Sequence, residues 1–151
     1  MKRLLLQAVL LTFITILPAC AKKKDDVKMN KRTSSETAEN QKGLDDLFNT
    51  EFDKIRVYSE GKEKESDSST DIKTIREDIK SIDTSREYTE KYQGGMDLEL
   101  LNGDDSVKIN ISGPEDAAEV SISHGNTALS GILPKEHYKE IEKIYMNLIK
   151  K

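Results

Sequence analysis

Sulfur and aromatic chemistry are nearly absent from this 151-residue chain, which has one cysteine, no tryptophan, three phenylalanines and five tyrosines. A lone cysteine excludes an internal disulfide framework and a cysteine-ligated metal site. Histidine is almost as scarce, with only His124 and His137. A hydrolase built on nucleophile, base and orienting group therefore has few members to draw on. Ser123 adjoins His124, but neighbours on a strand point to opposite faces. Phosphate-cradling glycine loops are missing too, because Gly94-Gly95 is not followed by a helical pattern. The acidic stretch NGDDS, residues 102–106, lacks the distal Glu and the spacing of a calcium loop. Its Asp104 and Asp105 read as solvated turn carboxylates, His124 as a turn histidine and His137 as a helix-surface histidine. No catalytic, cofactor-binding or metal-binding residue is assigned.

The features present begin at the N-terminus. Lys2 and Arg3 form a short positive start, and Leu4 to Leu17 is apolar except for Gln7, Thr12 and Thr15. A helix needs about 20 apolar residues to cross a bilayer core, so this run is too short for a comfortable span. It has the length of a signal-peptide core, with the small residue Ala19 near its end. A stop-transfer reading would instead use Lys22 to Lys24 as the anchor of a stretched helix. The single cysteine, Cys20, closes the segment in the sequence LPAC.

LPAC, Leu17 to Cys20, resembles the lipobox of bacterial lipoprotein precursors: Leu at the −3 place, a small residue at −1 and Cys at +1. Pro18 departs from the pattern, which favours a small residue there. The resemblance covers residues 1–20. It implies cleavage between Ala19 and Cys20, a diacylglyceryl group on the Cys20 thiol and a fatty acyl chain such as palmitate on the new amino group. With that thiol consumed, thiolate catalysis is excluded as well. The implied address is a cell membrane or outer membrane, on the extracytoplasmic face. KKKDD, residues 22–26, resembles the basic-then-acidic signal that directs some Bacteroidetes lipoproteins to the cell surface.

Charge divides at the same seam. Residues 21–42 carry seven basic and four acidic side chains, a net of +3, whereas residues 43–151 carry 15 and 24, a net of −9. Each cation near an anionic membrane surface is worth about 1 kcal/mol, so the first segment favours headgroups and the second is repelled by them. The acidic remainder also argues against nucleic acid as a partner. Residues 21–42 hold only Val27 and Met29 as sizeable apolar side chains, too few to offset ordering, and a disordered tether is expected.

Beyond the tether, Leu44, Leu47 and Phe48 suggest a short helical turn. Ile55 and Val57 alternate with Lys54 and Arg56 as in a strand. SEGKEKESDSST, 59–70, reads as a solvated loop. Ile72, Ile75, Ile79 and Ile82 form one apolar stripe of a helix over 71–83, with Ser69, Thr70 or Asp71 as the cap. SREYTEKYQ offers a short edge strand. Residues 96–101 and 106–111 alternate around NGDD, a hairpin signal with a longer loop. Residues 119–123 and 127–133 alternate around HGN. Pro134 is suited to the first position of a final helix, 135–150, which buries Tyr138, Ile141, Ile144, Tyr145 and Leu148.

The expected fold is α+β: one small antiparallel sheet of four to six strands packed against two amphipathic helices. The expected organisation is a signal peptide over 1–19, a lipidated cysteine and disordered tether over 20–43, and a single domain over 44–151. The tether, strand–helix start, hairpins and last helix also resemble small lipoproteins of low-GC Gram-positive bacteria. The expected role is a non-catalytic, lipid-anchored module that contacts a protein partner through sheet edges or the sheet's polar face, without cofactor. Two alternatives are a self-protection lipoprotein acting against a toxin or conjugation machine, and a small metal-dependent enzyme that would need His124 and His137 to converge.

Overall fold

Thr33 begins a helix that hydropathy does not announce. Its side chain accepts from the Glu36 backbone N–H while the Glu36 carboxylate accepts from the Thr33 N–H, a reciprocal capping box. The computed structural model describes residues 29–88, 92 and 94–150. Cleavage at Ala19–Cys20 and lipidation of Cys20 lie outside these residues. Within them run β1 (Met29–Lys31), α1 (Ser34–Phe48), β2 (Lys54–Ser59), β3 (Lys62–Ser66), α2 (Ser69–Lys80), β4 (Arg86–Tyr88), β5 (Met96–Asn102), β6 (Asp105–Ser112), β7 (Ala118–His124), β8 (Thr127–Leu133) and α3 (Lys135–Ile149).

The expected α+β architecture is present, an antiparallel six-stranded sheet in the order β3-β2-β5-β6-β7-β8 with helices on one side, plus a two-stranded β1-β4 ribbon. Val57, Leu98, Ile109, Ile122 and Leu129 stand opposite one another across β2, β5, β6, β7 and β8. That row, with Ile55, Leu100, Val107, Ile111 and Val120, forms the sheet's contribution to the core. Ile72, Ile75 and Ile79 of α2 and Ile141, Ile144, Tyr145 and Leu148 of α3 close it, as the stripes predict. α3 crosses β2, β3 and β5, α1 meets β8, and α2 touches both other helices. No helix among the described residues is long and apolar enough to cross a membrane.

Four local expectations change. The tether expected to run to residue 43 is folded from Met29: β1 pairs with β4, and α1 occupies 34–48. The inward side of α1 is Thr37, Gln41, Leu44 and Phe48, periodic but apolar only in its second half. The solvated loop over 59–70 is the β2–β3 hairpin and the start of α2, whose cap is Ser68. Glu60 and Gly61 both have positive φ, the two-residue turn whose twist matches its strands. β3, Lys62-Glu63-Lys64-Glu65-Ser66, carries no apolar side chain because it is the sheet's edge, and alternating charge blunts such an edge. The NGDD loop is tighter than expected: Asn102 pairs with Asp105, leaving two loop residues, with positive φ at Gly103. Pro134 is the cap before α3 rather than its first residue.

The opposite edge is closed by other means. Asp83 exchanges backbone hydrogen bonds with Ile132 of β8 at 2.8 and 3.1 Å. The Arg32 guanidinium then donates to the Ser130 carbonyl at 2.6 Å, the Ser130 hydroxyl at 2.6 Å, the Thr84 carbonyl at 2.9 Å and Glu87 at 2.6 Å. A residue expected in the tether thus pins the ribbon to the sheet.

Candidate functional site

The two histidines do not converge. His124, at the end of β7, pairs with Asp105 at the start of β6 through Nε2, 2.8 Å from Oδ1. Ser123 faces the other side of the sheet, as strand alternation requires. His137, in the first turn of α3, sets Nδ1 2.7 Å from Oδ1 of Asp78 on α2. Asp78 is 7% exposed, and its Oδ2 is buried without a partner. Burial pushes its carboxyl above the usual range despite the opposing contribution of His137. Asp104 lies in the β5–β6 turn. Among the described residues no three His, Cys, Asp or Glu side chains are grouped to hold a metal ion.

A denser polar constellation lies on the sheet face turned away from the helices. Strand alternation that sends Ile55, Val57, Leu98, Ile109 and Ile122 into the core sends Arg56, Tyr58, Asp97, Glu99, Lys108, Asn110, Ser121 and Ser123 outward. Register aligns them in two rows: Tyr58, Asp97, Asn110 and Ser121, and beside it Arg56, Glu99, Lys108 and Ser123. An open depression of about 390 Å³ is lined by Tyr58, Asp97, Lys108, Asn110 and Ser123.

Glu99 organises this face. It is 4% exposed although it points outward, because Arg56 and Tyr58 lie across it. Arg56 Nη1 donates to its Oε2 at 3.1 Å and the Tyr58 hydroxyl at 2.6 Å. Burial alone would raise the Glu99 carboxyl. Hydrogen bonds from Tyr58 and Ser106, with the charges of Arg56 and Lys108, outweigh burial and hold it below the ordinary range. The Glu99 bond in turn raises the Tyr58 phenol. Arg56 completes the network through Nε and Nη2, both on Glu65 Oε1, at 2.8 and 2.6 Å.

Tyr58 is consequently fixed at both ends. Its phenol is held by Glu99, and its backbone carbonyl accepts from the Tyr145 hydroxyl of α3 at 2.6 Å. Tyr58 as a whole residue remains 36% exposed. Beside it Asn110 Nδ2 donates to Asp97 Oδ1 at 2.7 Å, which orients both groups and leaves Asp97 Oδ2, Asn110 Oδ1 and one amide hydrogen for another molecule. Alternation in the sequence sets Arg56, Asp97, Glu99, Lys108 and Asn110 on the polar side of their strands but does not single them out as one constellation. The asparagine–glycine turn fixes the β5–β6 register and so could have placed Asp97 against Asn110. The burial of Glu99 has no such local signal.

No protein-family model, no curated protein and no solved structure matches this chain.

Proposed function

We propose that this chain is a lipid-anchored binding protein of the extracytoplasmic face of a bacterial membrane, held through Cys20 and presenting the open face of its sheet to a ligand. The observation that carries the anchoring is the position of the only cysteine, at the end of a short apolar run in the sequence LPAC. Two acyl chains give lasting attachment where one gives marginal binding. From Cys20 to Met29 the chain reaches at most about 30 Å, so the folded domain stays near the surface that holds it.

Binding rather than chemistry is supported by the electrostatics of the open face. Glu99 is held ionised and Tyr58 protonated, so neither is poised to exchange a proton near neutral pH, which general acid–base work requires. Fixed donors and acceptors beside an exposed ring suit recognition.

The anchoring is tested by feeding labelled palmitate to cells that produce the wild-type chain or Cys20→Ser and fractionating them. The wild type is expected to take up label and remain with membranes, and the variant to lose both. A variant that is processed normally and stays fully membrane-bound overturns the reading.

A further inference from the structure

We propose that the open face of the sheet binds a saccharide bearing a carboxylate, with Lys108 meeting the carboxylate, Tyr58 stacking against a sugar ring, and Asp97 and Asn110 taking hydroxyl groups. The inference rests on the reading of the chain as a binding module and supplies the ligand class. Three observations carry it.

The first is Lys108. The other cations of this face are engaged, Lys54 with Glu65 at 3.2 Å and Arg56 with Glu65 and Glu99 at 2.6 and 3.1 Å. Lys108 stands opposite Glu99 in register, close enough to influence its titration. Arg56 and Tyr58 hold Glu99 through Oε2, and no carboxylate among the described residues forms an ion pair with Lys108. Its exposed ammonium is left to an outside anion.

The second is the ring of Tyr58. An exposed tyrosine fixed at its hydroxyl and its backbone offers a flat apolar surface with little rotamer entropy left to lose. The third is the Asp97–Asn110 pair, whose mutual bond presents two acceptors and a donor side by side, the complement of vicinal hydroxyls. Ser121 and Ser123, on the adjacent strand, add small hydroxyls and leave the tray open along its length.

The same residues disfavour other ligands. The backbone of the central strands is paired within the sheet, so a peptide cannot add as a strand there. A hydroxyl-rich ligand bearing a carboxylate matches Lys108, the Tyr58 ring and the Asp97–Asn110 pair.

The test is calorimetric titration of the purified full chain in detergent micelles. The probes are tetrasaccharides of galacturonate, glucuronate and mannuronate, the neutral tetrasaccharides of galactose, glucose and mannose, and tetraglutamate. Because the titration does not depend on the state of Cys20, its failure is separable from failure of the anchoring. Saturable binding of at least one uronate is expected, tenfold or more tighter than its neutral counterpart. Lys108→Gln should abolish that margin, Asp97→Asn should weaken binding several-fold, and Lys143→Gln on α3 should change nothing. Tyr58→Phe, which keeps the ring, should retain more affinity than Tyr58→Leu. Circular dichroism identifies any variant that fails to fold, in which case the remaining substitutions decide. Absence of saturable binding to all three uronates, equal binding of the neutral sugars, an unchanged margin in Lys108→Gln, or tetraglutamate binding as tightly as the best uronate each overturns the proposal.

Discussion

Replacement of Arg32 by leucine is the sharpest probe of how this domain begins. Arg32 follows β1 directly, and its side chain is 12% exposed while its guanidinium spans the ribbon and β8. The apolar replacement would strand two carbonyl acceptors, those of Thr84 and Ser130. At about 1.5 kcal/mol for each bond to a charged donor, the loss is about 3 kcal/mol. The pair with Glu87, which is 38% exposed, adds little beyond this. For a domain of this size the loss corresponds to a fall in Tm of about 10 °C. Arg32→Lys keeps the charge but not the planar fork, and should lose most of the same stability. Urea unfolding followed by circular dichroism reads the change as a lower midpoint at unchanged slope. If residues up to 43 were a tether, Arg32→Leu would change the stability by less than about 0.5 kcal/mol, and trypsin would cut the native protein after Lys42. Those two results together would refute the docking of β1 and α1.

Three further outcomes follow from the same packing. A Cβ on Gly95 would stand 2.1 Å from the Ile111 carbonyl oxygen at a φ of +134°, so Gly95→Ala should cost more than about 2 kcal/mol. Gly103→Ala, which meets nothing within 4 Å, should cost about 1 kcal/mol from its positive φ alone, and thermal unfolding compares the two. Glu99→Gln should cost about 2 kcal/mol at neutral pH through weaker bonds to Arg56 and Tyr58. Since the folded Glu99 carboxyl lies below its unfolded value, the wild type's advantage is complete above about pH 4.3 and is lost as pH falls through the folded value. Asp78 has the opposite sign: its folded carboxyl is raised by burial, so its contribution is fully present below about pH 3.9 and is lost as pH rises through the folded value. Asp78→Asn should therefore gain on the wild type between pH 3 and pH 7 in denaturant titrations, and a constant difference would show that burial of Oδ2 carries no penalty.

The elements that could be read from the sequence are those whose buried side is wholly apolar. Ile72, Ile75 and Ile79 announce α2, and Met96, Leu98 and Leu100 announce β5, because each residue facing the core is hydrophobic. α1 breaks that rule: Thr37 and Gln41 occupy its inward positions, near the buried Thr84, so periodicity was visible only from Leu44 onward. Its start was nevertheless written in Thr33 and Glu36, the capping box. β3 was invisible for a different reason, since an edge strand held by ladder bonds and by Arg56 and Lys54 needs no apolar residue. The open face lay between these cases. Its outward polar residues follow from alternation, whereas the clustering of Arg56, Tyr58 and Glu99 depends on the register of β2 against β5. That register joins segments some 40 residues apart, and no short-range pattern encodes it.

The proposed anchoring depends most on Cys20. Intact-mass and N-terminal peptide spectrometry of the protein purified from membranes tests it directly. A chain that begins at Cys20 and carries the added mass of a diacylglyceryl group on that residue is the predicted result. A chain that retains residues before Cys20, or one whose Cys20 thiol still reacts with iodoacetamide, would contradict the anchoring on which the proposed function stands.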